Sequence, residues 1–154
     1  MGISRLSSHR SVFAIVRHYR TKRGGPDNLI IGQKVTLASG STRNVFVGEL
    51  AGATAANSRS TTSDNTAVGY NSMAALTSGQ NNAALGSNAL IAITTGQANT
   101  AVGSNPLSHM TTGNSNTAFG QIVGGFLTTG SQNVLIGVSA GVDITTGFIQ
   151  HGSR

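Results

Sequence analysis

An asparagine recurs every 17 residues through the second half of this chain, and no other feature restricts the fold as much. Asn65, Asn82, Asn99, Asn116 and Asn133 each open a five-residue block that closes in glycine, at Gly69, Gly86, Gly103, Gly120 and Gly137. Ten residues after each of these comes a second glycine, at Gly79, Gly96, Gly113, Gly130 and Gly147, at the end of a turn of the type Thr-Thr-Gly. Two fixed turns per repeat leave room only for strands of about four or five residues. A continuous helix would lose about 1 kcal/mol at every glycine, whereas left-handed turns use glycine without steric cost. A fixed period of this length is the signature of stacked coils. The expectation is therefore an all-β chain, a parallel β-solenoid or β-roll of 17-residue coils.

Composition suits a narrow rod. The chain has 154 residues with 21 glycines, no tryptophan and no cysteine, and its apolar residues are mainly small or aliphatic. Such a core fits coils that each bury a few residues against their neighbours. Without cysteine there is neither a disulfide nor a thiolate metal site. There is no apolar stretch long enough for a transmembrane helix, and the apolar run from Val12 to Val16 is shorter than the core of a secretory signal.

Charge divides the chain. All the Lys and Arg residues except Arg154 lie in the first 59 positions, and the array from Asn65 to Gly147 holds a single charged side chain, Asp143. Residues 1–27 read as a basic attachment arm, with a short helix predicted over 8–20 from the spacing of Val12, Ile15, Val16 and Tyr19. Lys22-Arg23-Gly24-Gly25-Pro26 would end it in a hinge. Arg10, Arg17, Tyr19, Arg20, Lys22 and Arg23 are the candidate anchoring residues. A docking segment and a solvated tail both fit this arm. It lacks zinc spacing, a glycine-bounded RNA motif and basic-aromatic interleaving, which argues against nucleic acid as the partner.

Residues 28–150 form the repeat domain, and 151–154 a tail. The blocks at Asn28 and Asn44 are imperfect early coils, 16 residues apart, and the next block follows 21 residues later. The excess falls in the polar stretch from Thr54 to Asp64, as expected of a bulging surface loop.

Within each block the second, third and fourth residues are apolar or nearly so, as in Thr66-Ala67-Val68 and Ala83-Ala84-Leu85. Alternate strand residues face opposite ways, so both faces ask for cover. With the bulky fourth residue assigned to the coil interior, the row Ala67, Ala84, Ala101 and Ala118 becomes the expected seam between sister chains. The asparagines are expected to stack in a ladder and to cap turn backbone, and the paired threonines to form further ladders.

No catalytic constellation emerges. The complete acid list is Asp27, Glu49, Asp64 and Asp143, which leaves no carboxylate pair in the array, and His9, His18, His109 and His151 have no acidic or histidine partner nearby in sequence. No nucleophile elbow, phosphate loop or calcium repeat is present. The reading is a non-enzymatic protein without a cofactor or a metal.

The blocks Asn65-Thr66-Ala67-Val68-Gly69-Tyr70-Asn71 and Asn99-Thr100-Ala101-Val102-Gly103-Ser104-Asn105, with Thr111-Thr112-Gly113-Asn114-Ser115-Asn116, resemble the NTAVG/TTG repeats of bacteriophage tail fibres and related virion appendages. They are similar, more distantly, to the head repeats of trimeric autotransporter adhesins. The resemblance covers residues 28–150. It implies a left-handed, homotrimeric β-roll fibre on a phage particle, with other virion structural proteins as partners. The chain shows neither the self-cleaving chaperone domain nor the bulky tip of long tail fibres, which shifts the expectation to a capsid fibre, decoration trimer or tail connector. The alternative is an adhesion module that binds a host-surface glycan or protein through variable positions such as Tyr70, Ser87, Ser104 and Phe126.

Overall fold

The computed structural model describes residues 16–21, 25–35, 37, 40–52, 61–147 and 152–153, the side chains of 16–21, 25–27 and 152–153 excepted. The described residues hold no helix and form a single nine-stranded sheet in which the strands pair in sequence order. These are β1 (Val16–Thr21), β2 (Gly25–Ile31), β3 (Val45–Val47), β4 (Thr66–Val68), β5 (Ala83–Leu85), β6 (Thr100–Val102), β7 (Thr117–Phe119), β8 (Val134–Ile136) and β9 (Gly152–Ser153). From β2 to β9 every pairing is parallel, as in a solenoid in which each coil contributes one strand to a common face. The repeat strands have three residues, shorter than the four or five expected, because turn geometry takes over at the block glycine.

Backbone hydrogen bonds join successive coils away from the strands as well. Leu107 N donates to Val123 O over 2.8 Å in the middle of the coil, and Thr94 N donates to Thr111 O over 2.9 Å at the Thr-Thr-Gly corner. The 21-residue interval from Asn44 to Asn65 does not disturb the stacking, since Val45 pairs with Thr66 in the register used everywhere else. Residues 53–60, on which most of the expected surface loop falls, lie outside the described residues.

Two expectations fail. Residues 16–20, the C-terminal part of the predicted helix, belong to a strand: β1 runs antiparallel to β2, with Val16 opposite Ile31 and Tyr19 opposite Asn28. Isolated short helices are marginal, and here an open sheet edge supplies backbone partners that a helix would forgo. Residues 1–15 lie outside the described residues.

The second failure concerns the alanines. Ala67, Ala84, Ala101 and Ala118 are 0 or 1% exposed within a single chain, so the third strand position faces the coil interior, and the second and fourth face outward. They are core residues and cannot form a seam between chains. The reason is volume. Leu90, Ile93, Leu107 and Met110 enter the interior from the other sides of the coil, and the strand side has space left for little more than a methyl group.

The same volume constraint explains the coils that depart from alanine. Gly52 takes the place held by Met73, Leu90 and Leu107 in later coils, and a Cβ built on it would sit 2.4 Å from the Phe46 ring. Gly141 takes that place opposite Leu135, where a Cβ would lie 2.8 Å from Leu135 Cδ2. In these two coils a large strand residue meets a glycine; the coil of Ala118 also has a glycine there, Gly124, whose added Cβ would meet Leu107 Cδ2 at 2.7 Å and Leu135 Cδ1 at 3.0 Å in the neighbouring coils.

Gly52→Ala is expected to destabilise the chain by about 2–4 kcal/mol through overpacking and a left-handed backbone, and Phe46→Ala by about 3–5 kcal/mol. Urea melts of the double variant should show a loss at least about 1 kcal/mol smaller than the sum of the two, because the alanine at 46 makes room for the new methyl group. Strict additivity would refute the pairing.

Candidate functional surface

The asparagine column lies at the start of the strands, inside the rod. Asn28, Asn44, Asn65, Asn82, Asn99, Asn116 and Asn133 are all buried. At each step the side-chain oxygen of one asparagine accepts two hydrogen bonds from the next, one from its backbone N and one from its amide Nδ2. For Asn82 as acceptor and Asn99 as donor the distances are 3.0 and 3.1 Å. The same pair of bonds occurs from Asn28 to Asn133 without interruption. The other Nδ2 hydrogen closes the coil: Asn82 donates to Gly96 O, Asn99 to Gly113 O and Asn116 to Gly130 O, at 2.8–2.9 Å. Both expected roles, ladder and turn cap, belong to one side chain. Aspartate could not donate and serine could not reach both partners, so the position is restricted to a primary amide.

The two glycine columns are restricted by how closely coils approach. At Gly69, Gly86, Gly103, Gly120 and Gly137 φ lies between +117° and +135°. A Cβ at Gly86 would also come within 1.8 Å of the Gly103 carbonyl oxygen. The Thr-Thr-Gly glycines do not have positive φ. They are needed because a Cβ at Gly96 would lie 2.5 Å from Gly113 O. The paired threonines split their roles: Thr94 and Thr111 donate their hydroxyls to the carbonyls of Thr111 and Thr128, at 3.1 and 3.2 Å, while Thr95 and Thr112 are exposed. One threonine ladder forms, rather than two.

Of the candidate anchoring residues, Arg17, Tyr19 and Arg20 lie on β1, the strand that closes the N-terminal end of the sheet. Arg10, Lys22 and Arg23 lie outside the described residues. Two basic residues further on are paired at the surface: Lys34 Nζ to Glu49 Oε1 at 3.0 Å, and Arg43 to Asp64 through two bonds of 2.5 and 2.6 Å. Arg43 holds the Asp64 carboxyl below its usual range, mainly through that bidentate hydrogen bond. Arg43 and Asp64 immediately precede Asn44 and Asn65, so the pair joins the two ends of the enlarged coil.

The variable positions Tyr70, Ser87, Ser104 and Phe126 are exposed, and the Phe126 ring lies 5.4 Å from that of His109. His109 Nδ1 lies 2.5 Å from Gly125 O, so the tautomer protonated at Nδ1 donates to that carbonyl. Among the described residues no three His, Cys, Asp or Glu side chains come together, and no helix is long and apolar enough to cross a membrane. Sequence reasoning left Asn28 and Asn44 out of the register set, although the blocks NLIIG and NVFVG carry the signal. It also placed the fourth strand residue inside. The structure puts Leu85, Phe119 and Ile136 outside and exposed.

Replacing Asn99 by Ala strands the buried Gly113 carbonyl and the backbone N of Asn116, at about 1–3 kcal/mol each, and a loss of about 3–5 kcal/mol is expected in chemical denaturation. Asn99→Asp should be worse at pH 7 than at pH 4. Burial raises the carboxyl pKa above its unfolded value, so the damage is complete above the folded pKa and recedes as the acid takes up its proton. A variant with wild-type stability would show that the ladder contributes nothing. In comparisons with protein-family models, curated proteins and solved structures, the chain has no match.

Proposed function

We propose that this chain is a non-enzymatic structural protein of a bacteriophage virion, a short homotrimeric fibre, decoration or tail appendage anchored by its basic N-terminal arm. The observation that carries the reading is the unbroken amide ladder. A buried column of identical hydrogen bonds fixes every coil against slippage and gives a rod of set length, which is what a spacer or projection requires. The resemblance of the NTAVG and TTG blocks to phage appendage repeats supplies the setting.

The charge distribution supports polarity along the rod. The basic residues cluster before residue 60, and β1, which carries Arg17 and Arg20, forms the N-terminal edge of the sheet. An electropositive end would bind an acidic site on another virion protein, and the neutral coils beyond it would project without strong attraction to either. A second reading, an adhesion module for host-surface glycan or protein, is favoured by one observation: Tyr70 and Phe126 present half-exposed rings, 51% and 52%, on a hydroxyl- and amide-rich surface.

The test is co-assembly. When the chain is produced alongside the phage genome that encodes it, it should co-purify with particles on density gradients. Changing Arg10, Arg17, Arg20, Lys22 and Arg23 together to Gln should lower incorporation at least tenfold while circular dichroism still reports the folded rod. A chain that never bands with particles sinks the virion reading. If cell binding instead survives the five changes and is lost in Tyr70→Ala and Phe126→Ala, adhesion takes its place.

A further inference from the structure

The fourth residue of each strand forms a column that the fold leaves uncovered. Parallel register stacks Val47, Val68, Leu85, Val102, Phe119 and Ile136 directly above one another. Leu85 is 52% exposed, Phe119 45% and Ile136 50%, and the three valines are half-buried. The column is apolar at every level. Its neighbours at the second strand position are Val45, Thr66, Ala83, Thr100, Thr117 and Val134, none of them charged. A continuous apolar face on a soluble rod marks an interaction site.

We infer that this outward face of the sheet, and not the alanine row, is the seam along which copies of this chain pack, side by side and in parallel. Three observations select a second copy as the occupant. The knobs of the column repeat once per coil, at the sheet spacing of about 4.8 Å, so a partner with the same period can interlock with it at all levels, and another copy of this chain has that period by construction. The six asparagine-to-glycine blocks that make up the face hold no charged side chain, so two copies brought face to face meet no repulsion, while a partner recognised by charge finds nothing on it to pair with. The size is sufficient only when the whole face is used. Six strands stacked at that spacing make it about 29 Å tall, and the five residues from asparagine to glycine make it about 17 Å wide, or about 500 Å2 on each copy. The resulting total of about 1,000 Å2 for a pair lies at the lower bound for a specific interface.

The seam stands on this face alone and holds whether or not the chain belongs to a particle. Closure at three copies rests on the fibre reading proposed above, with the three faces turned inward around a common axis parallel to the rods. In that arrangement the bulky Phe119 and Ile136 lie nearest the axis, and the alanine cores stay within each chain.

Sedimentation velocity on the full chain at tens of micromolar is expected to show a species of three times the chain mass. Leu85→Asp combined with Phe119→Asp should yield a monomer with the wild-type β spectrum, because both side chains lie outside the core. Should that variant fail to fold, Leu85→Thr with Phe119→Thr keeps strand preference and should weaken association at least 100-fold. Phe126→Asp, on another part of the coil, should leave the assembly intact. A monomeric wild type, a double variant that keeps the wild-type mass, or dissociation by Phe126→Asp instead would each overturn the seam. A dimer that Leu85→Asp with Phe119→Asp dissolves would keep the seam and refute the threefold fibre.

Discussion

The buried amide ladder is the interaction on which the other features depend. A polar side chain taken out of water without partners costs several kilocalories per mole, so seven buried asparagines would ordinarily be a liability. Here each of Asn82, Asn99 and Asn116 accepts twice at Oδ1 and uses both Nδ2 hydrogens, and the cost of burial is offset by bonds in a medium of low dielectric constant. Among the described residues only Thr62 Oγ1 is a buried side-chain polar atom without a partner. The ladder also forces the glycines. With the coils held in that register, a Cβ at the block glycine or at the Thr-Thr-Gly glycine would be directed at the carbonyl of the next coil, as at Gly86, 1.8 Å from Gly103 O, and Gly96, 2.5 Å from Gly113 O.

Close stacking in turn sets the backbone geometry of the turns, where the chain tolerates conformations that its residues do not prefer. Positive φ recurs two and four residues after each block glycine, at Asn71 and Met73, Asn88 and Leu90, Asn105 and Leu107. Asparagine adopts this region readily, whereas leucine, methionine and the β-branched Ile122 resist it. Met73, Leu90 and Leu107 are held there because their side chains fill the interior opposite the alanines, and burial of a large apolar side chain, at about 1.5–3 kcal/mol, exceeds a conformational cost of about 1–2 kcal/mol.

This balance explains what could and could not be read from residues. The period, the parallel sheet and the asparagine ladder follow from spacing alone, since identical residues 17 apart must stack if the coils do. Orientation of the strand did not follow. Thr-Ala-Val is apolar at its third and fourth positions, so alternation leaves two assignments, and the larger residue is the ordinary choice for an interior. Only the contents of the coil's other sides, Leu90 with Ile93 or Leu107 with Met110, show that the interior is nearly full before the strand contributes. Bulk pointed inward by habit and outward by volume. The left-handed Met73, Leu90 and Leu107 were equally hidden, because residue preference argues against that geometry at those positions. Residues 16–20 were misread as helix because a short apolar and basic run can serve either structure, and the choice falls to the open edge of β2.

A stack of coils is a one-dimensional structure, in which each unit gains stability only from the units before and after it, and the terminal units have one neighbour each. The third-position column reflects this. It runs from Ile30 and Phe46 through four alanines to Leu135, so the larger strand side chains lie toward the ends, and the partner of Leu135 in the last pairing is Gly152, which has no side chain to contribute. A seam along the outward face would change the dimensionality. Each coil would then touch its counterparts at the same level as well as those above and below, and fraying at one end of one chain would have to break lateral contacts too. The cost of local opening would rise along the whole rod.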